Sequence, residues 1–198
     1  MARRLCSHAP GFTILELLFV VAVAGTLAAI AVPQGLRALD DYQTRSAARY
    51  LARRIGTARF DAIKRSATHG LRFTPWSSDY TLSAVADGNR NGLRTAELAS
   101  GVDQVIGDPE RLSWHFAGVT FGILDDLPDA DGQPANGTDG VRIGVSRLLA
   151  VNADGTATSG TLYLRGRSRS QYAVRVLGVT GRIRLLKFDH ARHLWVDV

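Results

Sequence analysis

Two periodicities divide this chain. From Phe12 to Val32 runs an apolar segment of 21 residues whose only charge is Glu16. As a helix it would be roughly 31 Å long, the thickness of a bilayer's hydrocarbon core. Beyond Pro33 the helical pattern continues. Leu36, Leu39, Leu51, Ile55, Ala58 and Ala62 recur mostly at spacings of three, four or seven and define one apolar stripe. Arg37, Arg45, Arg49, Arg53, Arg54, Arg59, Lys64 and Arg65 crowd the remaining surface. That basic face suits a nucleic-acid or lipid surface, or a solvated face whose Arg stems cover apolar area. Gly70 is the predicted stop, so the pattern predicts one helix over 34–69 continuous with the apolar segment.

After Gly70 the period becomes two. Leu71–Thr74, Tyr80–Val85, Leu112–Phe121, Thr161–Leu164, Tyr172–Val179, Arg182–Phe188 and Leu194–Val198 read as short strands separated by Gly, Asp and Asn clusters. Closely spaced strands without intervening helices predict an antiparallel sheet or sandwich over 70–198, packed on the helix stripe. The predicted class is α+β, with a membrane-spanning segment at 12–33 and one domain at 34–198. Asp125 to Asp139 reads as an insertion-prone surface loop.

Charge refines this picture. Residues 1–68 hold 10 basic and 4 acidic side chains, residues 69–140 hold 4 and 11, and residues 141–198 hold 10 and 3. An acidic loop region and a basic C-terminal surface follow. Met1 to Gly11 carries Arg3, Arg4 and no acid, which predicts a cytoplasmic leader with the C-terminus directed outward. The only cysteine, Cys6, lies in that leader, so a chain cut after Gly11 would hold no disulfide. Glu16 is the costly residue. A carboxylate at mid-membrane costs on the order of 3 kcal/mol, which suggests a cationic partner.

Gly11-Phe12-Thr13-Ile14-Leu15-Glu16 resembles the processing site of type IV pilins and type II secretion pseudopilins. The resemblance implies cleavage by a prepilin peptidase between Gly11 and Phe12 and N-methylation of Phe12. It also implies pairing of Glu16 with the amino terminus of a neighbouring pilin or pseudopilin subunit. Asp87-Gly88-Asn89-Arg90-Asn91-Gly92 with Glu97, Asn152 to Leu164, and Val179 to Arg184 are similar to segments of the GspH/FimT branch of minor pilins and pseudopilins. That branch implies a pilin-like fold and an inner-membrane protein with a periplasmic domain. It further implies a structural role, at or near the tip of a short fibre.

Gly181-Arg182-Ile183-Arg184 resembles the Gly-Arg-x-Arg motif associated with DNA binding in FimT-type minor pilins. On a strand Arg182 and Arg184 share a face about 7 Å apart, suited to successive phosphates. Arg165, Arg167 and Arg169 repeat the spacing and are expected to extend the patch. The motif often runs into a cysteine, whereas Leu185-Leu186 follows here. The alternative is a solvated basic edge strand that resists aggregation.

Other chemistry finds little footing. Asp87, Asn89 and Asn91 have the spacing of a calcium loop's start, but its twelfth position is Leu98, with Glu97 one residue short, so an Asx-stabilised turn is expected. Asp125, Asp126, Asp129, Asp131 and Asp139 cluster without fixed ligand spacing. His8, His69, His115, His190 and His193 show no zinc-like pairing, and His115 is expected on a strand beside Trp114 and Phe116. With no phosphate loop and no nucleophile elbow, neither a cofactor nor an enzyme is expected.

Overall fold

The structure, a computed structural model, describes Gly11, residues 13–135 and residues 137–198. The leader through Pro10, including Arg3, Arg4, Cys6 and His8, lies outside the described residues, as does Phe12. The elements run α1 (Ile14–Arg65), β1 (His69–Trp76), β2 (Asp79–Ala86), α2 (Thr95–Ser100), β3 (Gln104–Glu110), α3 (Leu112–His115) and β4 (Thr120–Phe121). They continue with β5 (Val141–Arg142), β6 (Leu148–Val151), β7 (Gly160–Arg165), β8 (Gln171–Leu177), β9 (Arg182–Asp189) and β10 (Leu194–Asp197). The class is α+β. Two compact units meet between Leu39 and Asp40, inside α1.

The second unit contains two antiparallel sheets, ordered β3-β2-β1-β6 and β10-β9-β8-β7-β4, with β5 also paired to β7. Ala47, Ala48, Leu51 and Ile55 of α1 share one core with Leu71 and Phe73 of β1, Leu162 and Leu164 of β7, and Tyr172, Val174 and Val176 of β8. The stripe therefore holds from Leu51 onward. Its expected beginning does not: Leu36 and Leu39 are exposed, and the buried face starts instead with Asp40 and Thr44. Those two polar groups are buried because they bond backbone. Asp40 accepts amides of the β7–β8 turn, and Thr44 donates to the Asp40 carbonyl.

The helix also ends earlier than expected. Ser66 takes a left-handed φ of 49°, and the Ala67 amide reaches the Ala62 carbonyl, closing the last turn as a Schellman motif. Gly70 is not the stop. It lies within β1, where a Cβ would stand 2.2 Å from the Leu149 carbonyl oxygen.

Two strand expectations need correction. Leu112–Phe121 is not one strand: Leu112–His115 is a helical turn, so His115 sits on α3, and only Thr120–Phe121 pairs. Conversely, Gln104–Glu110 is a strand that the alternation rule passes over. It is an edge strand whose residues are mostly exposed, and it contains Gly107 at φ 76° and Pro109, both edge-protecting features.

The second sheet is covered on both faces. Leu162, Leu164, Val174, Ile183 and Leu185 belong to the helix-side core, while Tyr163, Ala173, Leu186 and Phe188 point the other way onto Ile123 and Leu127. The segment expected to be a plain surface loop thus roofs a second core. The Tyr163 hydroxyl accepts the Ala130 amide at 2.9 Å, and the Trp195 indole donates to the Pro128 carbonyl at 3.0 Å.

Candidate functional site

The head of α1 is built locally. The Thr13 hydroxyl accepts the Glu16 amide at 3.2 Å, and the Thr13 carbonyl accepts the Leu17 amide at 3.1 Å. Thr13 is the N-cap and Glu16 the third helical residue, the spacing of a capping box, with the carboxylate at the positive end of the helix dipole. This signal is legible in Thr13-x-x-Glu16.

Beyond the cap, every side chain from Ile14 to Leu39 is exposed. Thirteen of them are large and apolar. At roughly 1.5–3 kcal/mol per large apolar side chain, about 20–40 kcal/mol of transfer free energy has no taker among the described residues. None of the residues from Ile14 to Leu39 is buried, and among the described residues α1 alone is long and apolar enough to cross a membrane. Such a surface requires lipid or other helices. Glu16 and Arg37 are the only charges on it.

The C-terminal arginines are not brought together as one patch. Arg165 pairs with Gln171 at one end of β8, and Arg182 pairs with Leu177 at the other. Six residues of strand separate those ends, about 20 Å. Arg167 packs its side chain beside Gly118, Arg165 lies beside Gly122, and Arg169 forms an ion pair with Asp126. At the Gly-Arg-x-Arg motif itself, Arg182 is exposed, while the Arg184 guanidinium is held by Asp197 of β10 through two hydrogen bonds. That pairing holds the Asp197 carboxyl below its ordinary value. Ile183 faces the core, as the alternation predicts.

The acidic motifs satisfy themselves. Asp87 accepts the amides of Asn89, Arg90 and Gly92, Asp103 accepts those of Gly88 and Arg94, and Glu97 accepts both Asn89 and Asn91 side-chain amides. This is the Asx-type turn that the sequence suggested. In the second acidic segment, Asp129 accepts the amides of Asp131 and Gln133.

Two tyrosine–carboxylate pairs, invisible to local sequence patterns, pin the sheets. The Tyr50 hydroxyl donates to Glu110 at 2.6 Å, beside Arg54 at 3.0 Å and His115 at 3.3 Å from the same carboxylate. Burial, reinforced by Glu110, pushes the Tyr50 phenol up to about 12. Tyr80 donates to Asp139 at 2.7 Å and is raised to about 12, again by burial first and Asp139 second. Burial pushes against ionised Asp139, but the Val141 amide, Tyr80 and Arg147 together hold its carboxyl below the usual range. Both phenols stay protonated at neutral pH and act as donors.

No family model and no curated protein matches the chain. Among solved structures, it is similar to the minor pseudopilin EpsH from the Type 2 Secretion System of Vibrio cholerae. Identity is 18%, coverage is 73% of this chain and 97% of that one, and the TM-score is 0.46.

Proposed function

We propose that the chain is a minor pseudopilin or minor pilin of the GspH/FimT type, a structural and non-catalytic subunit of a short fibre. One observation carries this reading: a Gly-Phe-Thr-Ile-Leu-Glu head on a helix segment whose side chains are all exposed, in a chain whose remaining helix packs into a two-sheet domain. A prepilin peptidase would cut between Gly11 and Phe12, and Phe12 would be methylated. The apolar segment would hold the subunit in the inner membrane with its leader cytoplasmic and its domain periplasmic. During assembly Glu16 would take the amino terminus of a neighbouring subunit, so that lipid is exchanged for other helices. The EpsH likeness is in keeping with this reading and adds no weight to it.

Purified fibres test the assignment. Immunoblots of sheared, density-purified fibres should contain the chain as a minor component, and cells lacking the prepilin peptidase should retain all of it in the membrane. A chain that stays in the membrane of peptidase-positive, fibre-producing cells contradicts it.

DNA binding is the second reading, and Arg182 is the residue that favours it, exposed beside the Arg184–Asp197 pair. With few phosphates contacted, binding should be weak, indifferent to sequence and lost as salt rises, with a slope set by those few contacts. Arg182→Gln should flatten the salt slope in a mobility-shift titration of the detergent-solubilised chain, and Arg184→Gln should flatten it less. Absence of retardation by wild type at low salt removes this reading.

A further inference from the structure

The tip of the β1–β2 hairpin presents a site unrelated to the N-terminal segment. Trp76 and Asp79 face one another as the last pair of the hairpin, joined by Ser77 and Ser78. Asp79 is only 4% exposed. Its Oδ1 accepts the Phe121 amide at 2.9 Å, whereas its Oδ2 is buried with no hydrogen-bond partner. Asp79 lines an open cleft of about 300 Å³ together with Ser77, Ser78, Thr138 and Asp139. A buried carboxylate oxygen without a donor is uncommon and calls for one.

The neighbouring cation is already engaged: Arg147 pairs with Asp139 at 3.0 Å and stacks 5.3 Å from the Tyr80 ring centre. Asp139 is likewise occupied, by the Tyr80 hydroxyl, the Val141 amide and Arg147. One buried carboxylate oxygen in the wall of the cleft therefore lacks a donor, and Ser77, Ser78 and Thr138 line the same wall. A divalent cation seeking six or more oxygens is poorly served by that set. A primary ammonium is well served. It brings one positive charge and three donors, enough for Asp79 Oδ2 and two hydroxyl oxygens. The exposed Trp76 indole stands across the hairpin from Asp79, where an alkyl stem or the cation itself can lie on the ring.

We propose that this hairpin cleft receives a lysine side chain of a partner protein. The four-carbon stem selects lysine over an amino terminus, because a stem is what Trp76 can cover. The chain's own Lys187 is paired with Asp41 at 2.8 Å. The chemistry stands on the hairpin alone, and only the partner's being a fellow fibre subunit rests on the function proposed above.

The test is a titration of the detergent-solubilised full chain with n-butylammonium, followed by the Trp76 indole and Phe121 amide NMR signals. Both should shift saturably. The midpoint should be at least tenfold lower than for glycinamide, which offers an α-ammonium without the stem. Asp79→Asn keeps an oxygen for the Phe121 amide and should weaken binding at least tenfold. The double variant Ser77→Ala, Ser78→Ala leaves the carboxylate intact and should weaken it several-fold, so the result does not depend on how well the Asp79 variant folds. Absence of a saturable shift, equal affinity in both variants and wild type, or saturation by calcium chloride in place of the amine would each overturn the proposal. Asp79→Asn protein that binds no amine yet enters fibres separates this cleft from the assembly reading. Amine binding by a chain that never enters fibres would leave the cleft standing and remove the fibre partner.

Discussion

Glu16→Gln should lower incorporation into fibres roughly a hundredfold, because an unmatched ammonium in an apolar helix bundle is worth about 3 kcal/mol. Membrane insertion should survive or improve, since a polar cost is removed. Glutamine is the informative substitution here. The Thr13–Glu16 spacing is that of a capping box, and glutamine serves in a capping box as glutamate does. If local capping were the residue's whole role, Glu16→Gln would assemble normally and only Glu16→Ala would fail. If charge pairing is the role, both fail. Quantitative immunoblots of fibre and membrane fractions read the difference, and normal amounts of the Gln variant in fibres would refute the pairing.

Asp40→Ala should cost the domain about 3 kcal/mol, since hydrogen bonds to a charged acceptor contribute roughly 1.5–3 kcal/mol each. The Asp40 carboxylate accepts the Arg167 amide at 2.7 Å and the Ser168 amide at 2.8 Å, holding the β7–β8 turn against the helix. The contact is close: a Cβ on Gly166 would stand 2.5 Å from the same carboxylate. For a domain of this size the loss corresponds to a fall in Tm of roughly 6–12 °C. Gly166→Ala should be destabilising by the same route. Thermal unfolding by circular dichroism decides it, and a Tm within 2 °C of wild type would show that the turn holds without its clamp.

That clamp marks where sequence reading stops. Helix and strand periods are local properties, so α1, β1, β2, β7, β8, β9 and β10 can be read from residue spacing. Asp40 sits at a helix position where leucine would be expected, and its buried role depends on a turn 127 residues away. Strand β3 escapes for a related reason. Its Gly107 and Pro109 break the alternation because it is an edge, and an edge is defined by what fails to pair with it. The roof over Tyr163 and Phe188 carries no period at all: Ile123 and Leu124, Leu127 and Ala130 are scattered apolar positions in a polar loop.

The candidate sites divide along the same line. The Gly11–Glu16 head is legible because its chemistry lies within six consecutive residues. Arg165, Arg167 and Arg169, like Arg182 and Arg184, share a two-residue spacing, which fixes a face but not a position along the sheet. Register then sets Arg165 and Arg182 at opposite ends of β8, and the arrival of β10 gives Arg184 to Asp197.

The most direct measurement is the intact mass and N-terminal fragment spectrum of the chain extracted from membranes and fibres. The mature chain should begin at Phe12 and carry one methyl group on its amino terminus, heavier than residues 12–198 by a net CH2. A mature chain beginning beyond the apolar segment, with Glu16 discarded, or one that keeps its leader in peptidase-positive cells, would contradict it.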